Sequence, residues 1–222
     1  MLEHEPEASV GLLRDWATAR GHALQITPVP RLERWPAPDE CDAVISLGSE
    51  SSVHASPPSW LAPELDFLAA AHDARIPVLG ICFGGQALAK ALGGQVGRAA
   101  RTDIGWREID SDAPELITAG PWFRWHSDRF TPPPGARLLA GADGEAEAFA
   151  IAGSIGLQFH PEVDTAIVEG WIATGEQKLR RQGIEIESLR AQIARWAPQA
   201  RARALDLFDR IAVWWSGAQA LQ

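Results

Sequence analysis

A short segment at residues 76–94 restricts the fold of this chain more than any other, because an apolar run passes directly into a helical pattern. Residues 76–81 are β-branched and apolar, and they predict a short strand. The residues that follow, CFGGQALAKALGG, place a cysteine and two glycines at the junction. A strand that turns sharply through small residues into a helix can hold one side chain exposed at the turn. In this chain that side chain is Cys82.

The preceding residues supply the rest of an alternating pattern. Residues 7–20 predict a helix that ends at Gly21, and residues 23–29 and 42–48 predict strands. Residues 60–74 predict a second helix before the strand at 76–81. Such alternation favours an α/β fold with a mostly parallel open sheet flanked by helices. Ligands of such sheets bind at the carboxyl ends of the strands, where Cys82 lies.

Five later segments are short and β-like, with glycine or proline between them, and predict a small antiparallel extension of the sheet. They are DIGWREID, WFRWH, ARLLAGAD, AEAFAIA and SIGLQFH. After Pro161 the chain is expected to be helical, with an apolar stripe that includes Phe208 and Ile211 and packs on the domain. We expect one domain over residues 1–222, with a helical extension from about residue 175. Trp214 and Trp215 cannot share a helix face, so one of them marks either a subunit contact in a homodimer or the edge of the domain.

Composition excludes several classes of function. The 29 acidic residues outnumber the 20 basic ones, which gives a net charge of −9. The chain therefore lacks the excess of basic charge that binds nucleic acid or an anionic membrane. Two cysteines cannot form a disulfide framework, and the start MLEHEPEASVG lacks the features of a secretory signal. No apolar stretch is long enough to span a bilayer. We therefore expect a soluble cytoplasmic protein with a small-molecule or protein partner.

Cys82 is the candidate nucleophile. Flanking glycines give the turn a permissive backbone, and the N-terminus of the following helix favours the thiolate, which is the reactive form of cysteine. The alternative is a cysteine that only fills the core, which is the usual role of a free cysteine. That alternative is retained for Cys41, which has no such turn beside it.

A thiol nucleophile needs a base and a group that orients the base. In QFHPE, His160 ends a β-like run and Glu162 follows two positions later, so both side chains point the same way in an extended chain. Among the other histidines, His4, His22 and His72 are expected at the surface, while His54 and His126 stay open. No two of these residues have the tight spacing of a zinc site, so we expect neither a metal nor a cofactor.

Acyl chemistry also needs N–H donors aimed at the developing oxyanion. The turn after Cys82 offers the N–H of Phe83, and the second donor is expected from the loop LGSESS, in which Gly48 ends a strand and Ser49 follows. The alternative for that loop is an ordinary connection between a strand and a helix.

Together, GICFGGQ, WHSD and LQFHPEV resemble the class I glutamine amidotransferases, especially proteins similar to the glutaminase part of GMP synthase. The resemblance covers nearly the whole chain and implies a flavodoxin-like fold. It implies that Cys82 forms a γ-glutamyl thioester, that His160 moves protons and that Glu162 orients His160. It also implies that Gln86 and the backbone around Ser127 and Asp128 hold the substrate.

Two departures from the family pattern lead to expectations of their own. The family loop Gly-Gly-Pro-x-Ser is GSESS here, and Ser49 reaches fewer backbone angles than the glycine it replaces, which predicts reduced activity or dependence on a partner. The family opens with an apolar strand, whereas only MLEH precedes the first helix. The first strand is then either a stub or begins upstream, and we expect limited stability near Val10 unless another chain covers it.

The leading hypothesis is an enzyme that cleaves the γ-amide of glutamine or of a γ-glutamyl compound. Such a chain either docks on a separate synthetase subunit or acts alone as a γ-glutamyl hydrolase. A catalytically quiet protein that senses glutamine and regulates a partner is the alternative from another class. A redox or chaperone-like relative would share the cysteine turn but has no need of QFHPE.

Overall fold

The computed structural model describes residues 1–220 and the side chains of residues 1–217. Helices and strands alternate over the first half, strands fill the middle, and two helices end the described part. The strands are β1 (Leu2–Glu3), β2 (Thr27–Pro28), β3 (Val44–Ser46), β4 (Val78–Ile81), β5 (Gln95–Ser111), β6 (Gly120–Thr131), β7 (Arg137–Ala142), β8 (Glu145–Ile151) and β9 (Ser154–Leu157). The helices are α1 (Leu12–Arg20), α2 (Leu61–Asp73), α3 (Phe83–Ala91), α4 (Thr165–Arg181) and α5 (Ile186–Ala220).

These strands form one mixed sheet in the order β2-β1-β3-β4-β9-β8-β7-β5-β6. The first four pairings along this order are parallel and the remaining four are antiparallel. The predicted parallel sheet with an antiparallel extension is confirmed. One detail differs, because the segment SIGLQFH does not belong to the extension alone: β9 pairs parallel with β4 and antiparallel with β8.

Alternation of side chains along the central strands explains why helices cover both faces of the parallel half. Val44 and Val78 lie in a core with α2 and α3, whereas their neighbours Ile45 and Leu79 lie in a second core with α1 and the end of α5. A third cluster packs α4 and the start of α5 against β5 and β6. The result is the expected α/β arrangement of a sheet between helical layers.

The C-terminal stripe packs as predicted. Phe208 and Ile211 are buried in the core that α1 shares, and Trp214 and Trp215 both pack partly buried against it. In the described part of the chain, no helix is both long and apolar enough to cross a membrane.

The N-terminal elements are shorter than predicted. The first helix begins at Leu12 and the strand expected over residues 23–29 is reduced to two residues, while the helix end at Gly21 is confirmed by its left-handed φ of 73°. The two-residue β1 lies between β2 and β3. Val10 is 1% exposed and packs in the core that contains α1 and α5, so this chain covers it by itself, while the limited stability expected there stays a prediction.

Gly11 joins the start of α1 to the segment that carries Glu162. It has φ of +50°, and a β-carbon there would lie 2.1 Å from the carbonyl oxygen of Glu162. The neighbouring Leu12 N–H donates to the same oxygen at 2.7 Å. Only glycine fits this close approach without displacing the backbone.

Replacing Gly11 by alanine is expected to lower the free energy of unfolding by more than about 2 kcal/mol, because the added methyl group meets backbone at a strained φ. Gly170→Ala is the matched control, since Gly170 lies within α4 with open space around it. That variant is expected to stabilise the protein slightly. Urea unfolding of both variants measures the difference, and equal effects would contradict the role given to Gly11.

Candidate active site

Cys82 occupies a strained turn between β4 and α3. Its φ is 52° and its ψ is −105°, in the left-handed half of backbone space that residues with a side chain rarely adopt. Glycines make the turn possible: a β-carbon on Gly80 would lie 2.4 Å from the carbonyl oxygen of Gly84, and one on Gly84 would lie 2.1 Å from that of Ser46. The sharp turn predicted from the sequence is therefore present, and close backbone contacts hold it.

The sulfur of Cys82 is buried yet lines an open cavity. The Gln158 side-chain amide donates to Sγ at 3.8 Å, and the carbonyl oxygen of Trp125 lies 3.9 Å away. Cys82 precedes the first residue of α3, so the partial positive charge of the helix N-terminus faces it. An amide donor and a helix N-terminus both stabilise a thiolate.

His160 and Glu162 follow β9, and the sheet register places them beside Cys82. Ile81 of β4 pairs with Leu157 of β9, so the ends of the two parallel strands lie side by side. His160 Nδ1 lies 2.7 Å from Glu162 Oε1, and both side chains are buried. Nε2 of His160 has no hydrogen-bond partner among the described residues, and the ring lines the same cavity as Cys82.

Opposing effects determine the pKa of His160. Burial works to lower the pKa of His160, but the negative charge of Glu162, its hydrogen bond to Nδ1 and the nearby Cys82 outweigh it, so the pKa is raised well above its ordinary value. A protonated imidazole near a cysteine is an arrangement that activates a thiol nucleophile.

The loop after β3 contacts the ring of His160. A β-carbon on Gly48 would lie 3.1 Å from His160 Cε1, so the loop backbone touches the imidazole. Ser49 has no positive φ, which removes the predicted conflict between its side chain and the loop conformation. The Gly84 N–H donates to the carbonyl oxygen of Leu47 at 3.0 Å and ties this loop to α3. Neither the Phe83 nor the Ser49 N–H has an acceptor within the described residues.

The three residues expected to hold substrate also line the cavity. The Gln86 side chain donates to the carbonyl oxygen of Asp128 at 2.9 Å, and Ser127 Oγ lies 2.9 Å from Thr102 Oγ1. The carboxylate of Asp128 accepts hydrogen bonds from Ser52 and Arg98. Gln86 thus links α3 to β6 and fixes the backbone of residues 127 and 128.

The cavity opens to solvent and has a volume of about 200 Å³. Several of its wall residues have no motif in the sequence: they are Glu5, Glu7, Arg98, Trp171, Thr174 and Lys178. The last three lie on α4, and Trp171 packs edge-on against the ring of His160 with 5.1 Å between centroids. These wall residues reach the site only through the topology of the fold, so motifs in short stretches of the sequence could not reveal them.

Not all of the remaining histidines have the surface position that the sequence predicted. His22 is exposed as expected, and His72 is partly buried with Nδ1 2.8 Å from Ser154 Oγ. His4 is only 4% exposed, so the prediction of a surface position is wrong. Within the described residues, no group of three or more His, Cys, Asp and Glu side chains is arranged to hold a metal ion.

His126 is buried at the cavity wall, and neither ring nitrogen has a partner among the described residues. Burial lowers its pKa to about 4 against the opposing charge of Asp103, with help from the nearby charges of His160 and Arg124. The folded protein therefore holds His126 neutral down to a pH at which the unfolded chain is protonated. The stability this contributes is present above the unfolded pKa of about 6.5 and is lost as the pH falls toward 4.

When the pH is lowered from 7 to 4.5, we expect the free energy of unfolding of the wild type to fall by about 2 kcal/mol more than that of His126→Gln. The comparison with the wild type isolates His126, because Glu147, whose pKa burial raises to about 7, titrates in both proteins with the opposite sign. Urea unfolding at the two pH values measures the difference, and parallel falls would contradict it.

Comparison with known proteins places this fold and site in a family. The family described as "Glutamine amidotransferase class-I" matches residues 16–167. A GMP synthase (glutamine-hydrolyzing) from Thermomicrobium roseum is 37% identical over 131 residues, which cover 54% of this chain and 23% of that protein. The one from Mycobacterium bovis is 34% identical over 174 residues, 73% of this chain and 30% of that protein. The chain thus spans about a quarter of the length of such relatives.

Solved structures agree over nearly the whole chain. A glutamine amidotransferase from Thermotoga maritima superposes with a TM-score of 0.84 at 26% identity, covering 95% of both chains. One from Methylobacillus flagellatus superposes with a TM-score of 0.87 at 24% identity, covering 98% of this chain and 93% of that one, and supports the fold. The chain belongs to the class I glutamine amidotransferase family, whose general chemistry is the hydrolysis or transfer of the glutamine amide.

Proposed function

We propose that this domain hydrolyses the γ-amide of glutamine through a covalent thioester on Cys82. The observation that carries the proposal is the convergence, in one cavity, of a cysteine on a strained turn and a histidine bonded at 2.7 Å to a glutamate. A nucleophile, a base and a residue that orients the base are the parts that acyl transfer by a thiol needs.

In the first half-reaction, the Cys82 thiolate attacks the γ-carbonyl carbon of the substrate and the carbonyl oxygen becomes an oxyanion. The N–H groups of Phe83 and Ser49 are the donors proposed to stabilise it, since neither has an acceptor within the described residues. Imidazolium His160 then gives its Nε2 proton to the leaving nitrogen, the C–N bond breaks, and ammonia departs. The product is the γ-glutamyl thioester of Cys82.

In the second half-reaction, neutral His160 takes a proton from water, and the resulting hydroxide attacks the thioester carbon. Breaking the C–S bond releases glutamate and restores the thiolate beside imidazolium His160. Glu162 holds Nδ1 throughout, so Nε2 stays directed into the cavity. Gln86 and residues 127 and 128 are proposed to position the amino acid end of the substrate.

We further propose that the ammonia is used by a separate synthetase. The curated relatives are GMP synthases in which a region like this chain makes up about a quarter of the protein. A domain with this site and no larger partner would instead act alone on a γ-glutamyl compound, releasing an amine. A homodimer remains an expectation from the sequence.

Treatment with a glutamine-like affinity label, followed by mass spectrometry of the peptides, tests the proposal. We expect one adduct, on Cys82, with Cys41 unmodified, and competition by glutamine. Competition by γ-glutamyl amines but not by glutamine would favour the stand-alone hydrolase. Absence of any adduct on Cys82 would contradict the enzyme and favour a quiet glutamine-sensing protein.

A further inference from the structure

A buried network at the end of β1 contacts the loop after β3, and the reaction proposed above does not use it. His4 Nδ1 lies 3.1 Å from the carbonyl oxygen of Gly48, and its Nε2 lies 3.0 and 3.1 Å from the two carboxylate oxygens of Glu64. Ser46 Oγ donates to Glu64 at 2.7 Å. Both His4 and Glu64 side chains are fully buried.

The ring of His4 has little freedom to move. It stacks on Trp60 with centroids 5.0 Å apart and meets Phe83 edge-on at 4.9 Å. Because a carbonyl oxygen can only accept, Nδ1 of His4 must carry the hydrogen that bonds Gly48. The carboxylate of Glu64 holds Nε2 in the first turn of α2, where the helix N-terminus favours a negative charge. The bond to Gly48 therefore has a fixed donor and a fixed direction.

The direction of this bond decides where the next amide points. In a trans peptide the carbonyl and the N–H point in opposite directions. The Gly48 carbonyl is turned toward buried His4, so the N–H of Ser49, in the same peptide group, points away from His4. Gly48, Ser49, Cys82 and His160 line one cavity, and Gly48 touches the His160 ring.

A second contact fixes the other end of this short loop. The adjacent residue Glu5 accepts hydrogen bonds from Ser49 Oγ at 2.5 Å and from the Glu50 N–H at 2.7 Å. Ser49 Oγ also accepts from the Ser51 N–H at 3.0 Å. The Ser49 hydroxyl and the backbone N–H groups of Glu50 and Ser51 are thus held by these hydrogen bonds, and none of the bonds uses the amide of Ser49.

From this geometry we infer that His4, held by Glu64, is a positioning residue for the oxyanion hole. It fixes the Gly48–Ser49 peptide so that the Ser49 N–H is aimed at the substrate carbonyl before substrate arrives. This rests on the proposed function. It assigns a role to His4, which follows β1, and to Glu64 of α2, and it explains how a loop without the family's second glycine and proline is held beside the cavity.

Three variants test the inference. His4→Phe keeps the ring stacking but removes both ring nitrogens, so it cannot donate to Gly48. His4→Asn keeps an amide N–H close to the place of Nδ1 and loses the contact with Glu64. His72→Phe is the matched control, because it removes a histidine hydrogen bond to Ser154 that lies outside the cavity. For each, kcat and KM for ammonia release from glutamine are measured, together with the rate at which iodoacetamide alkylates Cys82.

We expect His4→Phe to lower kcat by about 30-fold, less than the roughly 10²–10³-fold loss when an oxyanion donor is removed, because the Ser49 N–H is misdirected and not deleted; KM and the alkylation rate should change little. His4→Asn should retain most of kcat, and His72→Phe all of it. If His4 had a purely structural role, His4→Phe and His72→Phe would both have a lower melting temperature, and His4→Phe would show no selective loss of kcat. Wild-type kcat in His4→Phe would overturn the inference and leave the proposed function intact.

If the wild type releases no ammonia, the proposed function fails, and the crystal structure of His4→Phe decides the inference independently of activity. A rotated Gly48–Ser49 peptide would support the positioning role of His4. An unchanged peptide would overturn it.

Discussion

Cys82→Ala is expected to reduce ammonia release from glutamine by at least about 10⁴-fold, because it removes the proposed nucleophile and leaves only binding and oxyanion stabilisation. The sulfur lies within reach of the Gln158 amide, the Trp125 carbonyl and the N-terminus of α3. No other described residue can replace it on the same turn. Glutamine consumption and glutamate formation, measured together, report the loss.

Cys41→Ala is the matched control for this experiment. Cys41 is partly buried and lies outside the cavity, so the variant is expected to keep wild-type kcat. Cys82→Ser adds a second comparison, since a hydroxyl retains the shape of the turn with a far weaker nucleophile. Equal ammonia release by wild type and Cys82→Ala would refute the mechanism.

Glu162→Gln is expected to lower kcat by about 10³-fold, the second largest effect. The carboxylate accepts the Nδ1 hydrogen of His160 at 2.7 Å and is a main cause of the raised His160 pKa. A glutamine can donate to Nδ1 instead, which leaves the hydrogen on Nε2 and removes the proposed base that faces the cavity. The lost charge also lowers the pKa of His160, which NMR titration of the imidazole measures directly.

A surface variant separates this effect from a general response to lost charge. Glu176→Gln removes an exposed carboxylate that pairs with Arg180 on α4, and it is expected to leave kcat unchanged. If Glu162→Gln keeps wild-type kcat while the pKa of His160 falls, the orienting role assigned to Glu162 is wrong.

The central part of the fold could be predicted because its signals are local. The turn at Cys82 needs small residues, and a β-carbon on Gly80, Gly84 or Gly85 would lie 2.1 to 2.4 Å from the nearest backbone atom. The buried runs of β3 and β4 are apolar on both faces because helices cover both sides of the sheet. These features are visible in short windows of the sequence.

The parallel pairing of β9 with β4 could not be read from the sequence. It joins residues 78–81 to residues 154–157 across most of the antiparallel extension and places the segment of His160 beside Cys82. The order of the motifs led us to expect Cys82 and His160 in one site, but only the pairing of β4 with β9 shows how the two residues come together. The walls supplied by α4 and by Glu5 depend on the same long-range topology.

Histidines show the limit of local reasoning most clearly. His4 follows a two-residue strand and is flanked by acidic residues, a context typical of a solvated turn. It is buried because Trp60, Phe83 and Glu64, distant in sequence, surround it. A buried polar group requires partners, and those partners are fixed only when α2 packs on the sheet.

Rapid-quench mass spectrometry of the protein mixed with glutamine tests the covalent mechanism most directly. The proposed mechanism predicts a γ-glutamyl adduct on Cys82 that forms within the first turnover, decays as glutamate appears, and is absent from Cys82→Ala. Glutamate formation by the wild type with Cys82 unmodified at every time point would contradict it.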